Sequence, residues 1–380
     1  MRINLLLLLF LALFCSCKEE ITLTTRSNEI QMVVDGMITD EPGPYAVTLS
    51  VTSPLGQPEH IPLTGCTVTI TDDAGYTEIL AEHKDGQYLT HSEGIRGQPG
   101  REYQLSIQTP GGRHYETPFQ KMSPPVKIDS LYSEVQYTER TDQPGSLPGL
   151  QFFTDSEKAS AQENYFLWRI TETFQYELDY KLYAIYYDGE ILINNRDTIS
   201  GYDSLYTCWK THDAGTFFTG STSSLKEAKI VKQPLHYVGT DTKRLSSRYS
   251  FHLHQYCIDR ETYYYWKNLQ EQITGDNFLL AKQPYNPTGN VRNTSDPQET
   301  VLGTFTVASV TTKRIFRSRP ALPFYLDSCM VGTDLESMFK TMGPAFLVIG
   351  PQGMGKVHKD CIDCRSKGGV PRKPSFWTDY

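Results

Sequence analysis

Cys66-Thr67-Val68-Thr69-Ile70-Thr71, running into Asp72-Asp73-Ala74-Gly75, decides the fold of this chain. Cys66, Val68 and Ile70 fall on one side of an extended backbone and the three threonines on the other, the two-residue period of a half-buried strand. The Asp-Asp-Ala-Gly that follows is a hairpin turn. Cys66 then sits as a small core residue with no need of a partner. Outward from here, residues 30–38, 45–51, 87–89 and 103–107 have the same short, β-rich character, and Thr109-Pro110-Gly111-Gly112 marks another turn. Strands recurring every ~8–12 residues, with no helical period, predict an immunoglobulin-like sandwich over residues 29–122.

Ser123-Pro124-Pro125 closes that region. Consecutive prolines cannot donate to a sheet and act as a stiff hinge, so a second domain is expected at 126–380. Residues 164–187 are dense in aromatics and β-formers. Strands continue to His252-Leu253-His254-Gln255-Tyr256 and resume at Val301-Leu302-Gly303-Thr304-Phe305 and Arg314-Ile315-Phe316. One segment breaks the pattern. Near 260–273, Tyr265, Trp266, Leu269, Gln272 and Ile273 fall on one helical face, with Asp259 as N-cap and Gly275 as terminator. The expected fold is mainly β: an N-terminal immunoglobulin-like sandwich, then a larger β-sandwich domain carrying one helix.

The N-terminus says where the chain works. Arg2, an apolar run from Ile3 to Phe14 and the sequence Cys15-Ser16-Cys17 form a secretion signal, too short to span a bilayer. A small residue, Ser16, precedes Cys17, as a lipoprotein signal peptidase requires, whereas cleavage before Cys15 would follow the bulky Phe14. Residues 1–16 are read as a lipoprotein signal peptide, Cys17 as the lipidated residue and 17–28 as a tether to the membrane. The net charge is −8, one unit more negative once Arg2 leaves. An acidic chain of this kind is a poor match for nucleic acid, where phosphate neutralisation supplies most of the affinity.

Several constellations carry possible chemistry. Gly350-Pro351-Gln352-Gly353-Met354-Gly355-Lys356 has the frame of a phosphate-binding loop, but Val357 stands where Ser or Thr would hold Mg²⁺ and no helix follows. It is read as a glycine-rich loop. His358-x2-Cys361-x2-Cys364, with Cys208 or Cys329, could hold zinc, and Cys361-Ile362-Asp363-Cys364 could be redox-active. Outside the cytoplasm structural disulfides take precedence, and the expectation is that Cys361 and Cys364 tie the tail to Cys208 and Cys329, in either pairing. His252 and His254 alternate on one strand face without a third ligand nearby. Lys313, Arg314, Arg317 and Arg319 form a basic cluster, read as a solvated strand edge. No catalytic signature appears, so no catalytic residue, metal or cofactor is expected. Phe174, Tyr176, Tyr180, Tyr183, Tyr186 and Tyr187 lie close together. One strand face should be core, and rings on the other are candidates for a partner surface.

The order of these segments resembles the domain-of-unknown-function 4249 family of Bacteroidota outer-membrane lipoproteins. Val33-Val34-Asp35-Gly36-Met37-Ile38-Thr39 with Gly43-Pro44-Tyr45 looks like its opening strand pair, and Cys208-Trp209, Arg248-Tyr249-Ser250 and Tyr265-Trp266 look like its middle. Gly289-Asn290-Val291, Val301–Phe305 and Lys313-Arg314-Ile315-Phe316 follow. Cys361-Ile362-Asp363-Cys364-Arg365 and Lys373-Pro374-Ser375-Phe376-Trp377 close the likeness. Lys18-Glu19-Glu20 resembles the export tag of surface-exposed lipoproteins in that phylum. The resemblance implies a lipid-anchored protein of the outer membrane, at the cell surface, that accompanies a TonB-dependent transporter. It carries over no catalytic residue. The alternative is a surface adhesin or scaffold that binds extracellular polymers. A hydrolase assembled from scattered residues is the least favoured reading.

Overall fold

A computed structural model describes residues 30–53, 59–140, 144–159, 163–194, 201–274, 288–333 and 343–378. The first strands in chain order are β1 (Met32–Thr39), β2 (Ala46–Val51), β3 (Ile61–Pro62), β4 (Thr67–Asp72), β5 (Thr77–Lys84), β6 (Gln87–Leu89), β7 (Glu102–Gln108), β8 (His114–Glu116) and β9 (Gln120–Lys121). They form a small sandwich. β1, β2 and β6 lie in one layer, and β4, β7 and β8 in the other. β5 passes between them, pairing with β4 through Thr77 to Leu80 and with β6 from Ala81 onward. The two-residue alternation of β4 buries Val68 and Ile70 against Val34, Val47, Leu49 and Tyr88 across the sandwich. Cys66 is buried and free.

The second half contains β10 (Ile128–Glu139), β11 (Ser146–Ser156), β12 (Tyr165–Glu177), β13 (Ala184–Tyr187), β14 (Glu190–Ile193), β15 (Thr207–Ser221), β16 (Gln233–Gly239) and β17 (Arg248–Ile258). After these come the helix α1 (Arg260–Thr274), β18 (Arg292–Asn293), β19 (Leu302–Ser318), β20 (Ala345–Gly350) and β21 (Gly353–Val357). The order β15-β12-β17-β19 forms one layer and β10-β11-β16 faces it. Phe152 of β11 stacks on Phe251 of β17 with ring centroids 4.2 Å apart, at the centre of that core. A third sheet, β14-β13-β20-β21, lies beside them.

The two halves share a sheet. β1 pairs in parallel with β19 from Val33↔Leu302 to Thr39↔Ala308, so one path of hydrogen-bonded strands runs through both. Ser123-Pro124-Pro125 falls between β9 and β10, where the chain passes from one core to the other. Yet Val291, Val301, Phe305 and Val307, from far downstream, complete the N-terminal core. Gly303 sits where β1 and β19 meet with φ +83°, and a Cβ there would stand 1.9 Å from the Val34 carbonyl oxygen. Only glycine fits such an approach.

α1 lies on the outer face of the four-stranded layer. The Asp259 carboxylate accepts from the Thr262 amide at 2.8 Å, the expected N-cap. Tyr263 and Trp266 are buried against Tyr165, Leu167, Ile258 and Ala308. Ile273, read as part of this face, is instead 67% exposed, and Gly275, the expected terminator, lies outside the described residues. Among the described residues no helix is long and apolar enough to cross a membrane. The glycine-rich motif is a hairpin, with Gly350 paired to Gly353 between β20 and β21.

Candidate functional site

The Tyr-rich stretch does not act as one surface. Tyr176 is only 3% exposed and its hydroxyl donates to the Cys364 carbonyl at 2.9 Å, so it belongs to the interior. Tyr180 packs on the cluster of Leu182, Val348, Val357 and Ile362, and Tyr186 packs on Ala184 and Leu347. Tyr183 and Tyr187 stand out, 40% and 55% exposed. They lead into a feature the sequence reading passes over. Tyr187-Asp188-Gly189-Glu190 is a tight turn in which Asp188 (φ 50°) and Gly189 (φ 81°) are both left-handed, the geometry that Asp-Gly favours between hairpin strands. It folds β14 back on β13 with Ile185 opposite Leu192 and Tyr186 opposite Ile191. Among the described residues β14 is the sheet's edge strand, and all four of its residues are exposed, including Ile191 at 50% and Leu192 at 36%. Strand alternation puts Leu192 with Tyr183 and Tyr187 on one face and Ile191 on the other.

A cavity of about 850 Å³ opens between α1, the β7–β8 hairpin and residues 288–294. Glu261, Tyr264 and Asn268 reach it from the helix, Gln104 and Glu116 from the strands, and Arg292 from β18. Glu116 and Arg292 face one another in the β8–β18 register. No local pattern marks these residues, because four separate segments supply them.

Glu172, unmarked in the sequence reading, is a buried carboxylate surrounded by partners. It has no solvent exposure, yet its carboxylate accepts from the Tyr249 hydroxyl. His212 Nε2 lies at 3.0 Å, His236 Nε2 at 3.2 Å and an Arg244 guanidinium nitrogen at 3.3 Å. Burial alone would raise its pKa. Hydrogen bonds from His236 and Tyr249, with the Arg244 charge, outweigh burial and bring it down to about 2. His252 and His254 lie with ring centroids 4.2 Å apart, and Arg314 approaches His252 Nδ1 at 2.9 Å. Burial first, then His254 and Arg314, hold the His252 imidazole down at about 4. Among the described residues no cluster of three His, Cys, Asp or Glu side chains is arranged to hold a metal ion.

The basic cluster is not a solvated edge. Arg314 lies over the Phe376 ring at 3.8 Å, Arg319 over Phe324 at 4.4 Å, and Lys313 donates to the Asp129 carbonyl at 2.6 Å. Arg317 donates to Ser133 Oγ at 2.7 Å. Packed aromatics and free acceptors around β19 claim these cations. The C-terminal tail is held in the same region: Val370 pairs with Trp209 through both backbone bonds, and Trp377 packs edge-on against Phe316. Its disulfides are Cys208–Cys364 and Cys329–Cys361, which fix one of the two pairings left open. Neither Cys361 nor Cys364 is then a thiolate for zinc. Cys257, like Cys66, is buried and free, and burial pushes its thiol up to about 11. Cys17, Lys18, Glu19 and Glu20 lie outside the described residues.

A comparison with curated proteins finds no match. A family model described as a domain of unknown function (DUF4249) matches residues 18–314. The match takes in the signal-proximal segment, the N-terminal sandwich, the β12–β17 layer, α1 and most of β19. By that match the chain belongs to the DUF4249 family.

Proposed function

We propose that this protein is a non-catalytic lipoprotein of the outer membrane, anchored through Cys17 at the cell surface, that serves as the accessory partner of a TonB-dependent transporter. The observation that carries this reading is the β13–β14 hairpin. An edge strand with exposed Ile191 and Leu192, flanked by exposed Tyr183 and Tyr187, is an association hazard unless a partner covers it. Tyrosine supplies a rigid apolar ring with a polar tip, as the centres of stable interfaces do. A covalent anchor would hold the protein in the same membrane as an integral transporter, where a modest contact suffices.

The test is affinity purification of the natively lipidated protein from gently solubilised outer membranes, with mass spectrometry of what accompanies it. A TonB-dependent transporter recovered in stoichiometric amount, and lost on Leu192→Lys, supports the reading. Recovery of the protein alone through repeated mild preparations overturns it and brings forward the adhesin that binds extracellular polymers.

A further inference from the structure

The cavity between α1 and the β7–β8 hairpin has no part in the hairpin surface and stands whether or not a transporter docks there. Its volume, about 850 Å³, lies in the range of built ligand sites. Its lining decides the ligand chemistry. Asn268 and Glu261 line it from positions two turns apart on α1, without an intrachain hydrogen bond or ion pair among the described residues. Gln104 donates its amide to the Thr117 carbonyl at 2.8 Å, which leaves its own oxygen as an acceptor toward the cavity. Glu116 and Arg292 oppose each other across the rim, and Tyr264, 43% exposed, offers a ring.

An apolar ligand would strip water from Asn268 and Glu261 and return nothing. An anion would meet two carboxylates, Glu116 and Glu261, against a single guanidinium, whose Nη1 already donates to the Gly289 and Val291 carbonyls and whose other nitrogens are left for a neutral acceptor. What matches is a ligand whose every polar group both gives and accepts a hydrogen bond, because the lining mixes carboxylates, amides and a guanidinium. Vicinal hydroxyls on a pyranose ring do this, while the ring's C–H face lies on an aromatic side chain. We infer that this cavity is a binding site for a neutral oligosaccharide, with Asn268, Glu261, Gln104 and Arg292 addressing its hydroxyls and Tyr264 its apolar face.

The experiment is isothermal titration of the full lipidated chain in detergent with neutral oligosaccharides from α-glucan, β-glucan, xylan, mannan and galactan. Hexalysine and a heparin-derived oligosaccharide serve as charged counterparts. At least one neutral oligosaccharide is expected to bind in the micromolar-to-millimolar range. Asn268→Ala and Glu261→Gln should each weaken it about tenfold or more, about 1.4 kcal/mol. Alanine is the better helix former at 268, so a loss there is not a loss of fold, and an unchanged melting curve verifies this. Leu192→Lys, on the remote hairpin, should leave the titration unchanged. The inference is overturned if no neutral oligosaccharide binds at about millimolar concentration. It also fails if both cavity variants bind as the parent does, or if a charged counterpart binds most tightly.

Discussion

Glu172 occupies the face of β12 that also carries Phe166, Trp168, Ile170 and Phe174. A carboxylate there is tolerable only because Tyr249, His236, His212 and Arg244 surround it. Breaking such a group from one side leaves uncompensated polar atoms in the interior. Glu172→Gln is therefore expected to destabilise the protein by about 3 kcal/mol, read as a lower urea midpoint at neutral pH. Its pKa is lowered on folding, so its contribution is full above about 4.5 and is lost as pH falls toward about 2. His252 acts in a higher window. Its folded pKa of about 4 lies below the ordinary 6.5, so the unfolded chain binds the proton first and stability declines as pH falls from 6.5 to 4. His254 beside it is also held below the ordinary value, by burial and then by Arg314, so His252→Asn should reduce but not abolish the pH dependence of the urea midpoint in that window and leave the slope below it intact. A slope unchanged by the substitution would assign the acid sensitivity elsewhere. The anomaly at Glu172 was legible in principle, since a two-residue period from Phe166 puts a charge among core positions. Its partners were not. They come from β15, β16, β17 and the short turn after β16, and only sheet pairing brings them together.

At the scale of elements, strong periodicity was readable and bent strands were not. β4 and β7 bury every second residue, and α1 begins where Asp259 caps it. β5 shows a single buried residue, Leu80, in eight, because it leaves one sheet for the other halfway along. A strand that changes partners has no single face, and its sequence shows no alternation. β19 joins two segments that looked separate, Val301–Phe305 and Arg314–Phe316, into seventeen residues. Polar Thr311, Thr312 and Lys313 hide the continuity by facing Gln255, His254 and Leu253 in turn across the pair with β17. Gly303 is the position on which the junction with β1 turns. Gly303→Ala places a methyl group on the Val34 carbonyl and asks an L-residue to hold φ +83°. Its expected effect is a loss on the order of 3 kcal/mol, measured by chemical denaturation. An alanine variant as stable as the parent would show that β1 and β19 can separate without harm.

The whole molecule is organised by that same junction. β1 opens the described chain and pairs with a strand some 270 positions later, so the first core cannot be completed until most of the chain has been made. Sequence could show that Ser123-Pro124-Pro125 interrupts the strands, because prolines leave a local mark. It could not show that Val291, Val301, Phe305 and Val307 return to the earlier core, since β-rich segments look alike whichever sheet receives them. The energetic scale of that return is large. Burying an aliphatic or aromatic side chain is worth about 1.5–3 kcal/mol, so four of them contribute ~6–12 kcal/mol. That is comparable with the ~5–15 kcal/mol net stability of a typical domain. Removing β19 also strips β1 of seven paired positions and turns it into an exposed edge. A chain ending at Met122 is therefore expected to show no cooperative thermal transition, whereas the full chain unfolds with β1 and β19 together. Circular dichroism of the two, heated side by side, decides the matter. A sharp transition in the short chain, near that of the full one, would make the N-terminal sandwich self-sufficient and the parallel pairing an addition to it.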